Sequence, residues 1–370
     1  MNNMRILVYG LGGGLIGGVK TFLFSMFDNM SENIIFDYVI DDNVCQREDD
    51  IKKRRGIIYY TPVRKKIFKN IKTWKSILRN WKHDGNNTVY FNVSTLNYCI
   101  PIFFAIKLKL RVIVHAHNND FHNCNFIYKI FHTINKAILK HKNVIRVSNS
   151  YLSSKFIFGE KESIIVHNAI DVQNFKFNEK NRNDIRCEYG IPEEKKVYGF
   201  VGRLDYQKNP LFLIDVFSII KNKQSNSVLF LVGDGDLRGE IIKRIKQYGL
   251  EDDVILVGSV LNPQIYYNVF DVFVLPSFFE GLGIVLIEAQ TNGLPCLATK
   301  DKIPFEAKIF DSFYFLDLNN NPSVWADYAI MLSNKKDERN EYYKNIIGTC
   351  YDISQEAKKL EFILRGNNNE

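Results

Sequence analysis

Two glutamates, Glu280 and Glu288, stand close together late in the sequence, on either side of a glycine-rich turn. Glu280 follows an apolar run, residues 271–275, that predicts a strand, and Glu288 falls on a predicted apolar helix. Gly281 and Gly283 let the turn pass close to a ligand. A carboxylate in such apolar surroundings needs a partner, because burying an unpaired charge is costly. Sugar hydroxyls are suitable donors; the alternative is one solvated glutamate and one helix cap.

Two cations lie at the end of another predicted strand, residues 197–201. Arg203 follows that strand, and Lys208 stands immediately before Asn209-Pro210, a pair that predicts the start of a helix. Two cations at a helix N-terminus suit a diphosphate, since each charge-assisted contact contributes roughly 1.5–3 kcal/mol. The alternative is ordinary surface charge with Asp205 as its partner.

Two histidines end a predicted strand of the first half, residues 111–115. His115 and His117 share one face, because side chains alternate along a strand. A lone histidine is usually structural, but two of them followed by Asn118 favour a functional site. We select His117 as the active-site histidine and His115 as the next candidate.

The first predicted strand, residues 4–9, ends in a loop with six glycines between positions 10 and 18. Residues 12–17 fit the dinucleotide pattern G-x-G-x-x-G, and Asp41 and Asp42 end the next predicted strand, near the place of a ribose-binding carboxylate. Such a loop brings bare backbone close to a phosphate at a helix N-terminus. A flexible turn is the alternative.

All these residues fall where predicted strands end. Strands alternate with helices along both halves of the chain, which predicts an α/β protein with parallel sheets covered on both faces. Ligands bind outside the carboxyl ends of such strands, so the residues should converge on one edge. A length of 370 residues favours two domains. We place them in residues 1–172 and 173–349, with a helix near 350–366 that packs back on the first.

Positive charge is concentrated in the first half of the chain. The net charge is +8, yet residues 1–160 carry 24 lysines and arginines against 11 acidic residues. The excess peaks in residues 64–82, which have eight basic residues and no acidic one. Such a segment attracts anionic partners. Because no nucleic-acid recognition motif accompanies it, we expect no nucleic acid as a partner.

Residues 64–82 also carry an apolar stripe at helical spacing, formed by Ile67, Ile71, Trp74, Leu78 and Trp81. A basic amphipathic helix with tryptophans is typical of a helix that lies on an anionic membrane surface. The alternative is a stripe that faces the protein core, with a solvated basic back. The spacing fits both interpretations, and the membrane contact is the one that we predict.

Six cysteines are scattered without a C-x-x-C pair, which predicts reduced thiols and not a disulfide framework or a zinc site. The first residues lack the regions of a signal peptide. The longest lipid-like run, residues 98–106, is far short of the ~20 residues that cross a bilayer. We therefore expect a cytoplasmic protein.

Seven motifs occur in order along the chain: Gly17-Gly18-Val19, His115-Ala116-His117, Asn168-Ala169-Ile170-Asp171, Val201-Gly202-Arg203, Lys208-Asn209-Pro210, Gly233-Asp234-Gly235 and the pair Glu280/Glu288. Together they resemble the retaining glycosyltransferases of family 4 (GT4), which have the GT-B fold. The residues from Glu280 to Cys296 are similar to the branch that builds bacterial exopolysaccharide, capsule or O-antigen. The resemblance covers nearly the whole chain and is weakest over residues 41–85, where acceptors are usually recognised.

The resemblance implies a site in the cleft between two Rossmann-like domains, an acceptor-binding domain followed by a nucleotide-sugar-binding domain. It assigns catalysis at the transferred sugar to His117 and Glu280. It assigns donor binding to Gly17, Gly18, Arg203, Lys208, Gly281, Leu282, Gly283 and Glu288. Among these, Arg203 and Lys208 hold the diphosphate, and Glu288 binds the ribose hydroxyls. His115 and Asn168 are further candidates.

The sequence departs from the commonest family pattern in two places. Lys20 follows Gly-Gly-Val where glutamate is frequent, which puts the contacts of that loop in doubt. Asp234-Gly235-Asp236 spells D-x-D, the metal–diphosphate motif of a different glycosyltransferase fold, but we interpret it as a glycine-rich turn. We predict that no metal or other cofactor is required, since two cationic side chains supply the same electrostatic stabilisation.

The resemblance implies transfer of a sugar, with retention of configuration, from a nucleotide donor, UDP-linked, to a growing glycan on a polyprenyl carrier. With the basic segment 64–82, it predicts a protein held peripherally at the inner face of the plasma membrane. Three alternatives stay open: an NAD-dependent oxidoreductase that uses residues 12–17 and Asp41, a nucleotide-sugar epimerase of related fold, and a non-catalytic sugar-binding scaffold.

Overall fold

The computed structural model describes residues 3–11, 18–42, 44–45, 47–118, 121, 126–335 and 338–366, without the side chains of residues 18–21. The chain divides into two compact units, each described here by itself. Unit 1 comprises Met1–Asn168 together with Ile353–Glu370, and unit 2 comprises Ala169–Asp352. The predicted glycine loop of residues 12–17 lies outside the described residues.

Unit 1 is built on a parallel sheet. Its described strands are β1 (Met4–Tyr9), β2 (Ile34–Ile40), β3 (Ile58–Tyr60), β4 (Thr88–Val93), β5 (Arg111–Ala116), β6 (Val144–Ser148) and β7 (Ile164–Ile165). They lie in the order β3-β2-β1-β4-β5-β6-β7. β2 is buried at every position, as expected of a parallel strand whose sheet is covered on both faces.

Helices cover both faces of this sheet. They are α1 (Gly18–Asp28), α2 (Glu48–Lys53), α3 (Ile67–His83), α4 (Ile100–Lys107), α5 (Phe126–Asn135), α6 (Tyr151–Phe158) and α14 (Ile353–Arg365). On one face α3, α4 and α6 share a hydrophobic core. On the other, Phe24 of α1 stacks on Tyr38 of β2, and α14 packs beside α1.

Three of the five residues in the apolar stripe of residues 64–82 face this core, whereas Ile67 is 45% exposed and Ile71 is half-buried. Trp74, Leu78 and Trp81 of α3 are at most 3% exposed and pack against the sheet. The prediction that these tryptophans rest on a membrane is therefore wrong, and the core-facing alternative is correct for them. A stripe at helical spacing has the same period whether it meets a protein core or lipid. The basic back of the helix, by contrast, is solvated.

Unit 2 is built on a second parallel sheet, and its described strands lie in the order β10-β9-β8-β11-β12-β13. The strands are β8 (Lys196–Val201), β9 (Ser227–Val232), β10 (Val254–Gly258), β11 (Val272–Leu275), β12 (Cys296–Thr299) and β13 (Phe313–Leu316). The helices are α7 (Val172–Phe175), α8 (Glu179–Glu188), α9 (Pro210–Lys223), α10 (Arg238–Tyr248), α11 (Gln264–Tyr267), α12 (Ile284–Thr291) and α13 (Pro322–Ser333). Because β8 and β11 are neighbours, the loops that follow them lie side by side.

The chain passes between the units at residues 168/169 and 352/353, where the sequence predicts 172/173 and 349/350. The difference arises because Ile170 and Val172 pack with Ile287 and Ile346 in a small core of unit 2. The N–H of Ile170 also donates to the carbonyl of Tyr351 at 2.9 Å, so both passages leave unit 2 at one place. α14 belongs to unit 1.

α14 is attached to unit 1 through a face that includes Leu360, which is fully buried. Leu360→Ala leaves a cavity, so we expect unit 1 to lose about 2–5 kcal/mol of unfolding free energy. Denaturant unfolding followed by tryptophan fluorescence in a Trp325→Phe background measures this, because Trp74 and Trp81 of unit 1 then give the signal. Phe362, which is 38% exposed, is the matched control, and Phe362→Ala should cost clearly less. Equal losses would contradict this placement of α14.

Candidate functional site

A largely buried ion pair joins the loops that follow β8 and β11. Lys208 Nζ lies 2.6 Å from Glu280 Oε1, and the two side chains are 13% and 6% exposed. Two motifs that stand 72 residues apart in the sequence thus form one charged cluster. The convergence expected from the strand ends is observed for these two residues. Because removing both charges from water is costly, the pair persists only while each side chain keeps an opposite charge or strong hydrogen bonds.

Two further hydrogen bonds, each with a backbone carbonyl as acceptor, connect the two loops. The N–H of Phe278 donates to the carbonyl of Gln207 at 2.8 Å, and Gln207 Nε2 donates to the carbonyl of Phe279 at 3.1 Å. The ring of Tyr206 stacks on Phe278, with 4.6 Å between centroids. These contacts hold the two loops, and with them Lys208 and Glu280, in fixed positions relative to each other.

Arg203, the second cation of the predicted diphosphate pair, is much more exposed than Lys208. Its side chain is 70% exposed and lies 2.9 Å from Asp205, while Nη2 donates to Gln207 at 3.2 Å. The pairing with Asp205 is the alternative named from the sequence. An exposed pair of this kind contributes at most about 1 kcal/mol, so replacing Asp205 by another anion would cost Arg203 little.

The turn between the two glutamates exposes Gly281 and buries Gly283. Gly283 has φ 74°, a left-handed conformation that favours glycine, and α12 begins at the next residue. A Cβ on Gly281 would meet no other atom within 4 Å, so packing does not require glycine there. Leu282 packs against the cores of unit 2. The amides of residues 281–283 thus stand at the start of a helix beside Glu280, an arrangement suited to anions or sugar hydroxyls.

Glu288 on α12 is held by a tyrosine. Tyr267 Oη donates to Glu288 Oε2 at 2.6 Å, and the Tyr267 side chain is fully buried. Burial raises the pKa of Glu288 to about 7, although the hydrogen bond from Tyr267 and the positive charge of Lys208 act to lower it. Glu288 therefore belongs to the same electrostatic cluster as Lys208 and titrates near neutral pH.

The position of Tyr267 depends in turn on Arg339, which is half-buried. Arg339 Nη2 donates to the carbonyl of Tyr267 at 2.9 Å, Nη1 to that of Phe270 at 2.8 Å, and Nε to that of Asn292 at 3.0 Å. Burial lowers the pKa of Arg339 to about 9. Sequence analysis missed both Tyr267 and Arg339, because neither lies in a motif and their contact spans 72 residues.

In unit 1 the two histidines share a face, as the strand period predicts. Their ring centroids are 4.2 Å apart. His115 has no exposed surface, and its Nδ1 lies 2.5 Å from Tyr90 Oη. Burial lowers the pKa of His115 well below its ordinary range. The structure thus gives His115 a supporting position under His117 and no surface of its own for a ligand.

His117 stands at the carboxyl end of β5 with one defined tautomer. Asn92 Nδ2 donates to the carbonyl of Tyr9 at 3.2 Å, which turns Asn92 Oδ1 toward His117 Nε2, 2.9 Å away. Nε2 therefore carries the proton, and Nδ1 is left as an acceptor with no hydrogen-bond partner among the described residues. Burial lowers the pKa of His117 to about 3, so the ring is neutral at physiological pH. Asn92, a polar side chain at the end of a buried strand, was a signal that sequence analysis passed over.

The remaining candidates are less defined. Asn168 ends the first segment of unit 1, and its amide oxygen is buried without a hydrogen-bond partner in the described ranges. Gly18 begins α1, and Gly17 lies outside the described residues. Asp41, the ribose-binding residue of the oxidoreductase alternative, already accepts hydrogen bonds from Tyr9, from Thr61 at 2.7 Å and from Arg64 at 2.9 Å. The Asp41 carboxylate is therefore already hydrogen-bonded within the protein.

Residues 181–348, most of unit 2, match the family model described as Glycosyl transferases group 1. Unit 2 is a group 1 glycosyltransferase domain. This match favours a glycosyltransferase over the oxidoreductase alternative, which is set aside.

Relatives and solved structures extend the likeness over the whole chain. EpsF of Bacillus subtilis (strain 168), named as a proposed glycosyltransferase, is 26% identical over 97% of this chain and 96% of its own. An Escherichia coli galactosyltransferase is 32% identical over 36% of each chain; its name specifies UDP-Gal and a GlcNAc-diphosphoundecaprenol acceptor. HepE of Anabaena, solved in complex with UDP-glucose, has a TM-score of 0.79 at 15% identity and covers 98% of this chain and 100% of its own.

These findings support a GT4-like glycosyltransferase and confirm the GT-B fold that the motifs indicate. The named relatives include capsular polysaccharide and amylovoran biosynthesis glycosyltransferases. The chain is therefore similar to the bacterial capsule, exopolysaccharide and O-antigen type. The roles of individual site residues stay predictions.

The raised pKa of Glu288 predicts a stability that falls with increasing pH. The folded carboxyl keeps its proton up to about pH 7, whereas an unperturbed one releases it near 4.5. Between these values the folded state binds more protons, so the unfolding free energy decreases as pH rises. Glu288→Gln removes this decrease and should raise Tm relative to wild type more at pH 8 than at pH 5.

Thermal unfolding at the two pH values measures the difference. The matched control is Glu306→Gln at an exposed position, whose effect should not change in this way between the two pH values. A Glu288→Gln effect of the same size at both pH values would argue against a carboxyl that titrates near 7.

Proposed function

We propose that this protein is a retaining GT4 enzyme that transfers a sugar from a UDP-linked donor to a glycan on a polyprenyl carrier. The observation that carries the proposal is the cluster of Lys208, Glu280 and Glu288 at the strand ends of unit 2. Two relatives support the choice of substrates: one is named for UDP-Gal and a diphosphoundecaprenol-linked acceptor, and another was solved with UDP-glucose.

Donor binding exchanges the partner of Lys208. A diphosphate carries more negative charge than one carboxylate, so it competes with Glu280 for the ammonium group, and Arg203 adds a second cation. Once Lys208 contacts the diphosphate, the Glu280 carboxylate is left to accept hydrogen bonds from hydroxyls of the transferred sugar. The backbone amides of residues 281–283 add donors beside it. The ion pair thus holds both side chains in place until the donor replaces it.

Glu288 binds the ribose in this proposal. Tyr267 holds Oε2 of the carboxylate, and Oε1 accepts from the ribose hydroxyls. These new donors stabilise the ionised form, so UDP binding should release a proton when the pH is below about 7. Tyr267 acts as a positioning residue, since it touches Glu288 and not the ligand.

In the proposed reaction the bond between the anomeric carbon and the UDP oxygen breaks, and the acceptor hydroxyl attacks the oxocarbenium-like sugar on the same face. The hydroxyl proton passes to the departing diphosphate. Lys208 and Arg203 stabilise the charge that develops on the leaving diphosphate, which is why we propose no metal. We assign no covalent nucleophile. We assign the neutral His117 ring to the transferred sugar; because its Nδ1 is buried in this structure, neighbouring side chains must move before a sugar hydroxyl donates to it. Gly17 and Gly18 retain their predicted place against the phosphates or the acceptor.

Ligand-dependent stability tests the donor class. UDP at about 100 times its Kd, in the presence of a chelator, should stabilise the wild-type chain by roughly 2.7 kcal/mol. GDP and NAD⁺ should stabilise it less. Glu288→Ala and Lys208→Met should lose most of the effect of UDP, while Lys246→Met, exposed on α10, should keep it. Thermal-shift assays make the comparison, and stabilisation by NAD⁺ alone would refute the proposal.

Turnover separates an enzyme from a sugar-binding scaffold. UDP-sugars are screened with a polyprenyl-diphosphate-linked glycan, and UDP release and the anomeric configuration of the product are recorded. We expect release that is undiminished by the chelator and a product with the donor's configuration. Binding of UDP without any turnover would favour the scaffold.

Because the proposed acceptor is carried on a polyprenyl lipid, the enzyme must reach it at a membrane surface. Within the described ranges, no helix is both long enough and apolar enough to cross a bilayer. We propose peripheral attachment through the basic back of α3 and the residues before it, where Lys65, Lys66, Lys69 and Lys72 are exposed. Lysines attract anionic headgroups by about 1 kcal/mol each near the surface.

Replacing Lys65, Lys66, Lys69 and Lys72 by glutamine should weaken binding to phosphatidylglycerol-containing vesicles at least tenfold at low salt. Vesicle co-sedimentation measures this. The control replaces four exposed lysines of unit 2, namely Lys180, Lys223, Lys243 and Lys246, by glutamine. Unchanged binding of the α3 variant would show that these charges do not contact the membrane.

A further inference from the structure

Helix α5 of unit 1 carries its apolar side chains on the outside. Phe126, Ile127, Ile130, Phe131 and Ile134 are 73, 56, 43, 49 and 62% exposed. At about 100° per residue, they span roughly 140° of the helix circumference, which makes one continuous face. Among the described side chains of this helix only His132 is buried. The usual arrangement of a surface helix is thus reversed.

Polar contacts, and not the apolar face, attach α5 to its unit. His132 Nδ1 accepts from the N–H of Leu96 at 3.2 Å, and Nε2 lies 3.1 Å from the carbonyl of Phe156. The His132 ring packs at 4.6 Å from that of Phe156, and Asn135 Nδ2 donates to the carbonyl of Leu96 at 2.6 Å. These bonds fix the rotation of the helix, so the five apolar side chains cannot turn inward.

The layer that contains α5 is strongly basic. Residues 51–159 carry 21 lysines and arginines against two acidic residues, Asp84 and Asp120. This segment supplies α3, α4, α5 and α6. Leu96 and Phe156, which hold α5, belong to the same core as α3, α4 and α6, so all four helices cover one face of the sheet. The apolar face therefore lies within a field of positive charge.

Charge decides what covers this face. A second copy of the chain would bring two basic layers together, and like charges at close range oppose association. An anionic bilayer complements both features, since its headgroups pair with lysines and its acyl boundary accepts apolar side chains. A contiguous face of five exposed apolar side chains on the protein surface also indicates an interaction site.

We propose that α5 inserts the face formed by Phe126, Ile127, Ile130, Phe131 and Ile134 into an anionic phospholipid bilayer. α5 lies in the membrane plane at the boundary between headgroups and acyl chains, while the exposed lysines of α3 contact the headgroups. Insertion of α5 replaces the membrane contact that the sequence predicted for Trp74 and Trp81, because these tryptophans are buried in the core of unit 1. The inference deepens the membrane attachment of the proposed function and rests on it, but it requires neither a donor sugar nor turnover.

The first test separates insertion from electrostatic attraction. Binding of the full chain to vesicles of equimolar phosphatidylcholine and phosphatidylglycerol is measured at low and at high salt. Salt screens the lysines of α3 but not burial of apolar area. Ile127→Ser, Phe131→Ser and Ile134→Ser together should remove the salt-resistant binding and lower the partition coefficient roughly tenfold or more. The α3 glutamine variant should keep salt-resistant binding and lose the salt-sensitive part.

The matched control carries Ile242→Ser, Met331→Ser and Ile347→Ser, three exposed apolar residues of unit 2. It should bind vesicles as wild type does. Stabilisation by UDP should be equal in all these variants, so a failure of the donor proposal and a failure of this one are distinguishable. An α5 variant that partitions like wild type overturns the insertion.

Phe131→Trp provides a direct reporter of the environment of α5. The three natural tryptophans, Trp74, Trp81 and Trp325, are at most 3% exposed, so their emission should not respond to lipid. Emission from position 131 should shift to shorter wavelength when anionic vesicles are added, and bromine-labelled acyl chains should quench it. A blue-shifted emission before lipid is added, with a dimer in light scattering that the α5 serine variant abolishes, would identify a second copy as the occupant and overturn the proposal.

Discussion

The withdrawal of two carboxylates from water is the constraint on which the site of unit 2 depends. Each one requires a partner, and the partners connect the unit. Lys208 offsets the cost for Glu280 and thereby joins the loops after β8 and β11. Tyr267 does the same for Glu288, and Arg339 fixes Tyr267 by bonding its carbonyl. A residue far from any motif thus determines where the ribose-binding carboxylate of our proposal lies.

The sequence predicts part of this arrangement for a general reason. Parallel sheets bring the carboxyl ends of their strands to one edge, so Lys208 and Glu280 could be expected to meet without knowledge of their contact. Tyr267 and Arg339 could not be found in this way. They act through contacts between distant segments, and no local period or spacing marks a residue whose partner is a backbone carbonyl elsewhere in the chain.

The two surface helices of unit 1 show where pattern analysis fails. α3 has the stripe of a membrane helix, yet Trp74 and Trp81 complete the core. α5 also has apolar residues at helical spacing, yet its apolar face points outward because His132 and Asn135 supply the inward contacts. A helical period of apolar residues predicts that the helix has one apolar and one polar face. Which face is turned inward depends on the hydrogen-bonding groups that the neighbouring chain offers, and only the fold reveals these.

The two units use charge in opposite ways. In unit 1 the candidate site histidines are neutral, because burial lowers their pKa, and the charge lies on the basic helical layer. Residues 161–370, which include unit 2, carry 25 basic against 30 acidic residues, so the overall field there does not attract an anionic donor. Recognition of a diphosphate in unit 2 must then be local, through the few cations placed at the strand ends. Because part-buried charges are screened less than exposed ones, salt should affect the headgroup contacts of the α3 lysines more than the contact of Lys208 with the donor. The positive charge of the chain as a whole therefore belongs to its surface chemistry and not to its proposed catalysis.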